Sequence, residues 1–159
     1  RDALSSGLTG LSGLAAMTAT AASAATPAMD TSAAKVDVDA LRQQVADTET
    51  AFARTMAERN FAGFLSFVAD DAVFLNGGDP LRGKAAIGAH WQKFYSAPTA
   101  PFSWRPDLVE VLASGGLAQS NGPVANPVGK VFARFYSTWR LESPGVWRIV
   151  FDNGYEVCA

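Results

Sequence analysis

The fold is decided by residues 130–155, which read KVFARFYSTWRLESPGVWRIVFDNGY. In the first half, every second position carries a more apolar or smaller side chain, which is typical of a strand with one buried face. These positions are Ala133, Phe135, Ser137 and Trp139. Residues 143–145 are Ser-Pro-Gly, which favours a tight turn. In the second half, Trp147, Ile149 and Phe151 form the predicted core face, which would place Asp152 outside. The stretch therefore predicts a long antiparallel hairpin.

Two more strands are predicted immediately upstream, over residues 102–112 and 117–122, with turn glycines at Gly115 and Gly116 between them. Before them, Asp37 or Asp39 can cap a helix that starts near Val38. Its apolar face is assigned to Leu41, Val45, Phe52 and Met56, and its polar side to Arg42, Gln43, Asp47, Glu49 and Glu58.

The remaining elements are shorter. Asn60 ends the first helix and can cap a second one, and the Asp70-Asp71 pair forms a polar corner before a strand over residues 72–75. A third helix follows Gly83. The order helix, helix, strand, helix and four strands predicts an α+β domain. In it, three N-terminal helices pack on a curved antiparallel sheet, and the inside of the resulting cone is a natural ligand pocket.

Composition excludes several classes of function. The chain has 159 residues, 18% of them charged, and a net charge of −2. No basic stripe is present that could neutralise phosphates, so nucleic-acid binding is not expected. The single cysteine, Cys158, excludes an internal disulfide and the usual Cys/His zinc patterns. No nucleotide, flavin, haem or metal signature is visible, so we expect no cofactor.

Residues 1–34 differ in composition from the rest of the chain. Residues 4–25 contain no charge and no aromatic side chain, and Ala22-Ser23-Ala24 offers a small-residue cleavage site. This pattern is typical of a signal peptide followed by a linker, and it is too weakly hydrophobic for a membrane span. We therefore expect residues 1–34 to be leader and linker, residues 35–159 to be the domain, and the mature protein to be periplasmic or secreted. A low-complexity tail without a targeting role is the alternative.

Several motifs, in the same order along the chain, resemble those of the SnoaL-like, nuclear-transport-factor-2-like superfamily. They are the segments FAR at 52–54, RNFAG at 59–63, ADDAVF at 69–74, LRGKAAI at 81–87, TWR at 138–140 and GVWRIV at 145–150. The resemblance covers about residues 38–157 and implies a cystatin-like cone fold. It also implies a homodimer through the outer sheet face, where Tyr136 would lie, and usually no cofactor. It does not imply one activity, because the superfamily holds isomerases, cyclases, dehydratases, hydrolases and binding proteins.

The resemblance allows one specific chemistry to be checked. Ketosteroid isomerases, a branch of the superfamily, use an Asp base with a Tyr and a protonated Asp that bind the oxyanion. These roles, with a supporting Tyr, would fall on Asn76, Phe52, Ser137 and Trp91. All four residues differ, and neither Asn76 as a base nor Phe52 as a donor can perform the role. Steroid-isomerase chemistry is therefore not expected.

The candidate site follows from the same mapping. Ligand contact is predicted for Phe52, Trp91, Phe135, Ser137 and Trp139. His90, the only histidine, can carry a proton near neutral pH, and Asn76 could polarise a ligand group beside it. Three hypotheses stay open. The domain binds a small apolar or aromatic molecule, or it is a cofactor-independent isomerase, lyase or hydrolase using His90 with Asn76, or it is a dimeric interaction domain.

Overall fold

The computed structural model describes residues 36–75 and 77–157. In this part of the chain the helices are α1 (Val38–Ala57), α2 (Phe61–Phe67) and α3 (Lys84–Tyr95). The strands are β1 (Val68–Phe74), β2 (Leu81–Arg82), β3 (Ser103–Trp104), β4 (Leu108–Val111), β5 (Leu117–Ala125), β6 (Val131–Ser143) and β7 (Val146–Glu156). The predicted leader, Asn76 and Cys158 lie outside the described residues.

The strands form one sheet in the order β2-β1-β7-β6-β5-β3, and β4 also pairs with β5. The predicted α+β class, with three helices on a curved sheet, is confirmed. The sheet is mixed rather than wholly antiparallel, because β1 runs parallel to β7. The hairpin predicted over residues 130–155 is the pair β6–β7 at its centre.

Side-chain caps begin the first two helices where the sequence predicts them. The Asp37 carboxylate accepts a hydrogen bond from the backbone N–H of Ala40 at 3.0 Å. The Asn60 side chain accepts one from the N–H of Gly63 at 2.8 Å. Both satisfy N–H groups that the first helical turn leaves without a partner, and both predictions are confirmed.

One residue of α1 lies on the opposite face from the one predicted. Glu49 was assigned to the polar side of the helix, and the structure buries it completely, with 0% exposure. Its position follows helical geometry, since it lies four residues after Val45 and three before Phe52, both of which are buried. Burial is possible because hydrogen-bond donors from three strands meet its carboxylate, as described below.

A β-bulge in β7 overturns the predicted alternation at the end of the chain. Thr138 pairs with Phe151 and Trp139 pairs with Ile149, so Val150 is an extra residue in β7. A bulge of one residue moves all following side chains to the other face. Phe151 is therefore 51% exposed rather than in the core, and Asp152, predicted to lie outside, is inside with only 8% exposure.

The Asp70-Asp71 pair also differs from its prediction as a polar corner, because both residues lie within β1. Their carboxylates are exposed and form ion pairs, Asp70 with Lys84 at 2.7 Å and Asp71 with Arg140 at 2.9 Å. The hydrogen bond from Arg140 holds the pKa of Asp71 below its ordinary value. The pair contributes surface ion pairs rather than a chain reversal.

The strand predicted over residues 102–112 is broken into β3 and β4. Between them the carbonyl group of Arg105 lies over Gly122 of β5, and a β-carbon at Gly122 would stand 1.9 Å from the Arg105 oxygen. Only glycine permits such an approach. The break turns β3 toward the helices, so that the indole ring of Trp104 reaches the interior.

Candidate functional site

A cavity of about 590 Å³ lies between the helices and the inner face of the sheet. Its size is within the range of sites that hold small molecules. Helices α1 and α3 supply one side, β3 and β5 the second, and the first residues of β6 with the last residues of β7 the third. The described lining residues are Phe52, Gly77, His90, Trp91, Phe94, Phe102, Trp104, Val124, Phe132, Ala133, Phe135 and residues 152–156.

Most of the wall is aromatic, and its rings contact one another. The ring of Phe52 meets that of Trp104 edge-on with centroids 5.5 Å apart, and Trp91 meets Phe94 in the same way at 5.4 Å. Phe102 links the two pairs, at 5.9 Å from Trp104 and 5.5 Å from Phe94. Such edge-to-face contacts fix the rings, so the wall has a defined shape before any molecule enters.

The predicted site residues fall into three groups. Phe52, Trp91 and Phe135 line the cavity, and His90 lines it as an exposed residue of α3. Ser137 and Trp139 are not among the lining residues; both have 0% exposure and lie behind the wall. Asn76 lies outside the described residues.

Behind the wall is a polar cluster centred on Glu49. The indole Nε1–H of Trp104 donates to Glu49 Oε1 at 2.7 Å, and the Ser120 hydroxyl donates to Oε2 at 2.6 Å. Trp139 Nε1–H lies 3.0 Å from Oε2 and 2.9 Å from the Ser120 oxygen, so it is shared between two acceptors. Burial raises the pKa of Glu49 above its ordinary value, although the hydrogen bonds oppose that shift. The cluster fixes the Trp104 ring, which is part of the cavity wall.

A second carboxylate belongs to the wall itself. Asp152 lines the cavity, and its Oδ2 accepts a hydrogen bond from the Ser137 hydroxyl at 3.0 Å. Ser137 is on the inner face of β6 directly opposite Asp152 on β7. The bond therefore places the Asp152 carboxylate on the inner side of the sheet.

The acidic and basic side chains among the described lining residues of the cavity are unequally represented. Its described lining contains the carboxylates of Asp152 and Glu156, and no lysine or arginine. The nearby cation on the inner strands, Arg134, is turned away and binds Asp107 at 2.6 Å and Asn121 at 2.7 Å. The described wall of the cavity thus combines apolar rings with the carboxyl groups of Asp152 and Glu156.

The indole nitrogen of Trp91 is buried and has no hydrogen-bond partner within the described part of the chain. The ring itself is held by stacking on Phe64, with centroids 4.9 Å apart and planes 18° apart. Trp91 is therefore positioned by its apolar surface, and its N–H group contributes no bond to the fold.

Sequence reasoning missed Glu49, Trp104 and Asp152. Helical spacing from Val45 could have placed Glu49 on the buried face. Trp104 follows from no local pattern, because the break between β3 and β4 decides its orientation. Asp152 depends on the bulge at Val150, which periodicity alone does not predict.

Within residues 36–75 and 77–157, no helix is long and apolar enough to cross a membrane. In the same part of the chain, no group of three or more His, Cys, Asp or Glu is placed to hold a metal ion.

The chain matches one family profile and is similar in fold to several solved structures. The profile of the SnoaL-like domain matches residues 49–149. No curated protein matches significantly. Among solved structures, an NTF2-like protein of unknown function from Pseudomonas putida KT2440 has a TM-score of 0.60 at 20% identity, covering 73% of this chain and 86% of its own. A cystatin-like fold protein from Burkholderia xenovorans LB400 has a TM-score of 0.62 at 16% identity, with coverages of 76% and 94%. At these identities the likeness shows the fold alone.

Proposed function

Because its match to the family profile spans residues 49–149, more than half of the chain, this protein belongs to the SnoaL-like domain family, and we propose that it binds one small, mostly apolar molecule in the cavity between α1, α3 and the sheet. The observation that carries the proposal is the cavity of about 590 Å³ with a wall of mutually contacting aromatic rings. A small molecule that covers these apolar rings removes their surface from water, which favours binding.

A neutral probe tests this proposal. Titration with 3-tert-butylphenol, followed by calorimetry, should show one site per chain. About eleven non-hydrogen atoms at roughly 0.5 kcal/mol each give a Kd on the order of 0.1 mM.

The cavity must be identified as the site by a filling variant. Ala133 lines the cavity and is buried, so Ala133→Phe should obstruct part of the cavity and weaken binding strongly. The matched control is Val128→Phe, which creates the same side chain at a position with 86% exposure, and it should leave the Kd unchanged. Equal affinities in the two variants would refute binding in the cavity.

The enzyme alternative is supported by one observation, that two titratable side chains, His90 and Asp152, line the same cavity. A base on the wall should exchange the α-protons of 4-tert-butylcyclohexanone with deuterated solvent, which proton NMR measures. Exchange that is lost in His90→Gln would favour the enzyme. Exchange no faster than in buffer would leave binding as the function.

We also propose that the protein is exported, because residues 4–25 are uncharged and contain a small-residue cleavage site at residues 22–24. Fractionation of the producing cells and sequencing of the mature N-terminus test this. A mature chain found in the cytosol and still carrying residues 1–34 would contradict it.

Self-association through the outer sheet face is a further part of the proposal. The bulge in β7 exposes Phe151 on that face, beside the aromatic pair of Tyr136 and Tyr155, whose rings lie 6.2 Å apart. Aromatic side chains of this kind are common in interfaces. Sedimentation should show a dimer that Phe151→Glu dissociates, and a monomeric parent protein would refute the proposal.

A further inference from the structure

The chemical class of the bound molecule follows from a hydrogen-bond donor in the cavity wall, and this inference rests on the proposed binding function. Trp91 lines the cavity and is only 8% exposed. Its indole Nε1–H group is buried and, within the part of the chain that the structure describes, has no acceptor. We propose that the cavity binds a neutral, mostly apolar molecule with one hydrogen-bond acceptor, such as a carbonyl oxygen, to which Trp91 Nε1–H donates.

The described ring contacts of Trp91 are all to phenylalanines. Phe64 stacks on the indole with centroids 4.9 Å apart, and Phe74 meets it edge-on at 5.6 Å. Phe94 and Phe102 of the cavity wall lie at 5.4 Å and 6.1 Å. None of these side chains carries an oxygen or nitrogen atom that could accept a hydrogen bond. A molecule bound in the cavity, which the indole borders, can supply the acceptor.

The other indole N–H groups of the chain have acceptors within the protein. Trp104 and Trp139 donate to the Glu49 carboxylate, at 2.7 Å and 3.0 Å. The indole nitrogen of Trp147 lies 3.4 Å from Gln44 Oε1. A buried donor without an acceptor is costly, so most buried donors in folded proteins have one. The donor in the cavity wall is the exception here, and it gains a bond that the fold does not provide when a ligand brings an acceptor.

The environment of this donor favours a neutral acceptor. The nitrogen atom is shielded from solvent, so water does not take the place of the acceptor. Access for a ligand oxygen requires a small tilt of the Phe94 or Phe102 ring, both of which are only partly buried. The described lining contains no lysine or arginine to offset the desolvation of an anion, whereas a neutral carbonyl group loses little on leaving water.

Two probes that differ only at the acceptor test the proposal. In 1-tert-butyl-4-methylidenecyclohexane a CH2 group replaces the carbonyl oxygen of 4-tert-butylcyclohexanone, so the two molecules share their shape. Nitrogen–proton NMR titration of the labelled protein gives the Kd of each probe. Trp91→Phe keeps an aromatic ring and removes the N–H group. The ratio of the ketone Kd to the hydrocarbon Kd should therefore rise at least about fivefold in this variant, the value of one hydrogen bond.

A second tryptophan provides the matched control. Trp147 is 1% exposed, is not among the described lining residues, and has Gln44 as its acceptor, so Trp147→Phe should leave the Kd ratio unchanged. A ratio that stays constant in Trp91→Phe, or changes equally in both variants, would overturn the proposal. One-site binding of 3-tert-butylphenol would then still uphold the binding function. Absence of binding by that phenol and by the ketone at millimolar concentration would overturn both.

A measurement on the parent protein does not depend on the folding of a variant. The indole proton of Trp91 can be assigned through its nuclear Overhauser contacts with the ring of Phe64, which stacks on it. This proton should move to lower field when the ketone binds, because it enters a hydrogen bond, and the hydrocarbon should not move it in that direction. An indole proton that moves in the same way with both probes would overturn the proposal.

Discussion

Replacement of the buried carboxylate of Glu49 separates its role as a hydrogen-bond acceptor from its charge. Glu49→Leu keeps a similar volume and removes both oxygen atoms. The Ser120 hydroxyl and the Trp104 N–H then lose their acceptor, while Trp139 keeps the Ser120 oxygen at 2.9 Å. A buried donor left without a partner costs about 1–3 kcal/mol, and Trp104 is only partly buried, so we expect a loss of about 3 kcal/mol. That is a large fraction of the stability of a small domain.

Glu49→Gln keeps one acceptor oxygen for Trp104, and its amide group can donate to the Ser120 oxygen. We therefore expect it to change the free energy of unfolding at pH 7 by less than about 1 kcal/mol in either direction. Urea unfolding followed by far-UV circular dichroism measures both variants. At a slope of about 1.5 kcal/mol per molar, the Leu variant should lower the midpoint by about 2 M.

The pH dependence of stability follows from the direction of the Glu49 pKa shift. Burial raises the pKa of Glu49 in the folded state above its ordinary value of 4.5, so the folded protein binds the proton more tightly than the unfolded chain. The stabilising contribution is fully present below pH 4.5 and is lost as pH rises through the higher folded-state pKa. Relative to the parent protein, Glu49→Gln should therefore gain stability as pH rises from 4.5 toward 8.

Two results would refute this reasoning. Equal losses in Glu49→Leu and Glu49→Gln would show that the acceptor role is unimportant. A stability difference between Glu49→Gln and the parent protein that stays constant from pH 4.5 to 8 would show that the carboxyl group is not shifted upward by burial.

Substitutions at Gly122, Trp91 and Tyr95 test the packing, with Gly116→Ala and Trp91→Ala as comparisons. Gly122→Ala should destabilise the domain by at least about 3 kcal/mol, because its β-carbon would stand 1.9 Å from the Arg105 oxygen. In Gly116→Ala no atom lies within 4 Å of the new carbon, so the free energy of unfolding should change by under about 1 kcal/mol. Equal losses of stability in Gly122→Ala and Gly116→Ala would refute the close approach of Arg105 to Gly122. Trp91→Phe removes an N–H group without a described partner and keeps an aromatic ring, so it should lower the urea midpoint by less than Trp91→Ala does. Equal midpoints in the two variants would contradict the view that Trp91 stabilises the fold by the packing of its ring. Tyr95→Phe should abolish a tyrosine ionisation near pH 12 at 295 nm, since burial raises the pKa of Tyr95 to about 12. An ionisation at that pH that persists in the variant would contradict this.

The overall fold was predictable because its signals are local. Period-two alternation over residues 133–139 defines β6, and the side-chain caps Asp37 and Asn60 mark the starts of α1 and α2. Each depends on residues within a few positions of one another, which is what a single sequence shows well.

The site was only partly predictable, because its decisive residues depend on irregularities of the sheet. The bulge at Val150 turns Asp152 inward, and the break after Trp104 brings that ring to the wall. Both result from long-range pairing, which local periodicity does not encode. Glu49 was missed for a different reason. Its charge indicated a solvated position, whereas donors from Trp104, Trp139 and Ser120, 55 to 90 positions away, make its burial possible.

Native mass spectrometry of the protein isolated from the cells that make it tests the central claim, that the cavity holds a small molecule, most directly. If the cavity holds a small molecule, the spectrum should show one non-covalently bound molecule per chain, strongly depleted in the Ala133→Phe variant prepared in the same way and retained in Val128→Phe. A parent protein that carries no molecule and takes up no 3-tert-butylphenol would contradict the account.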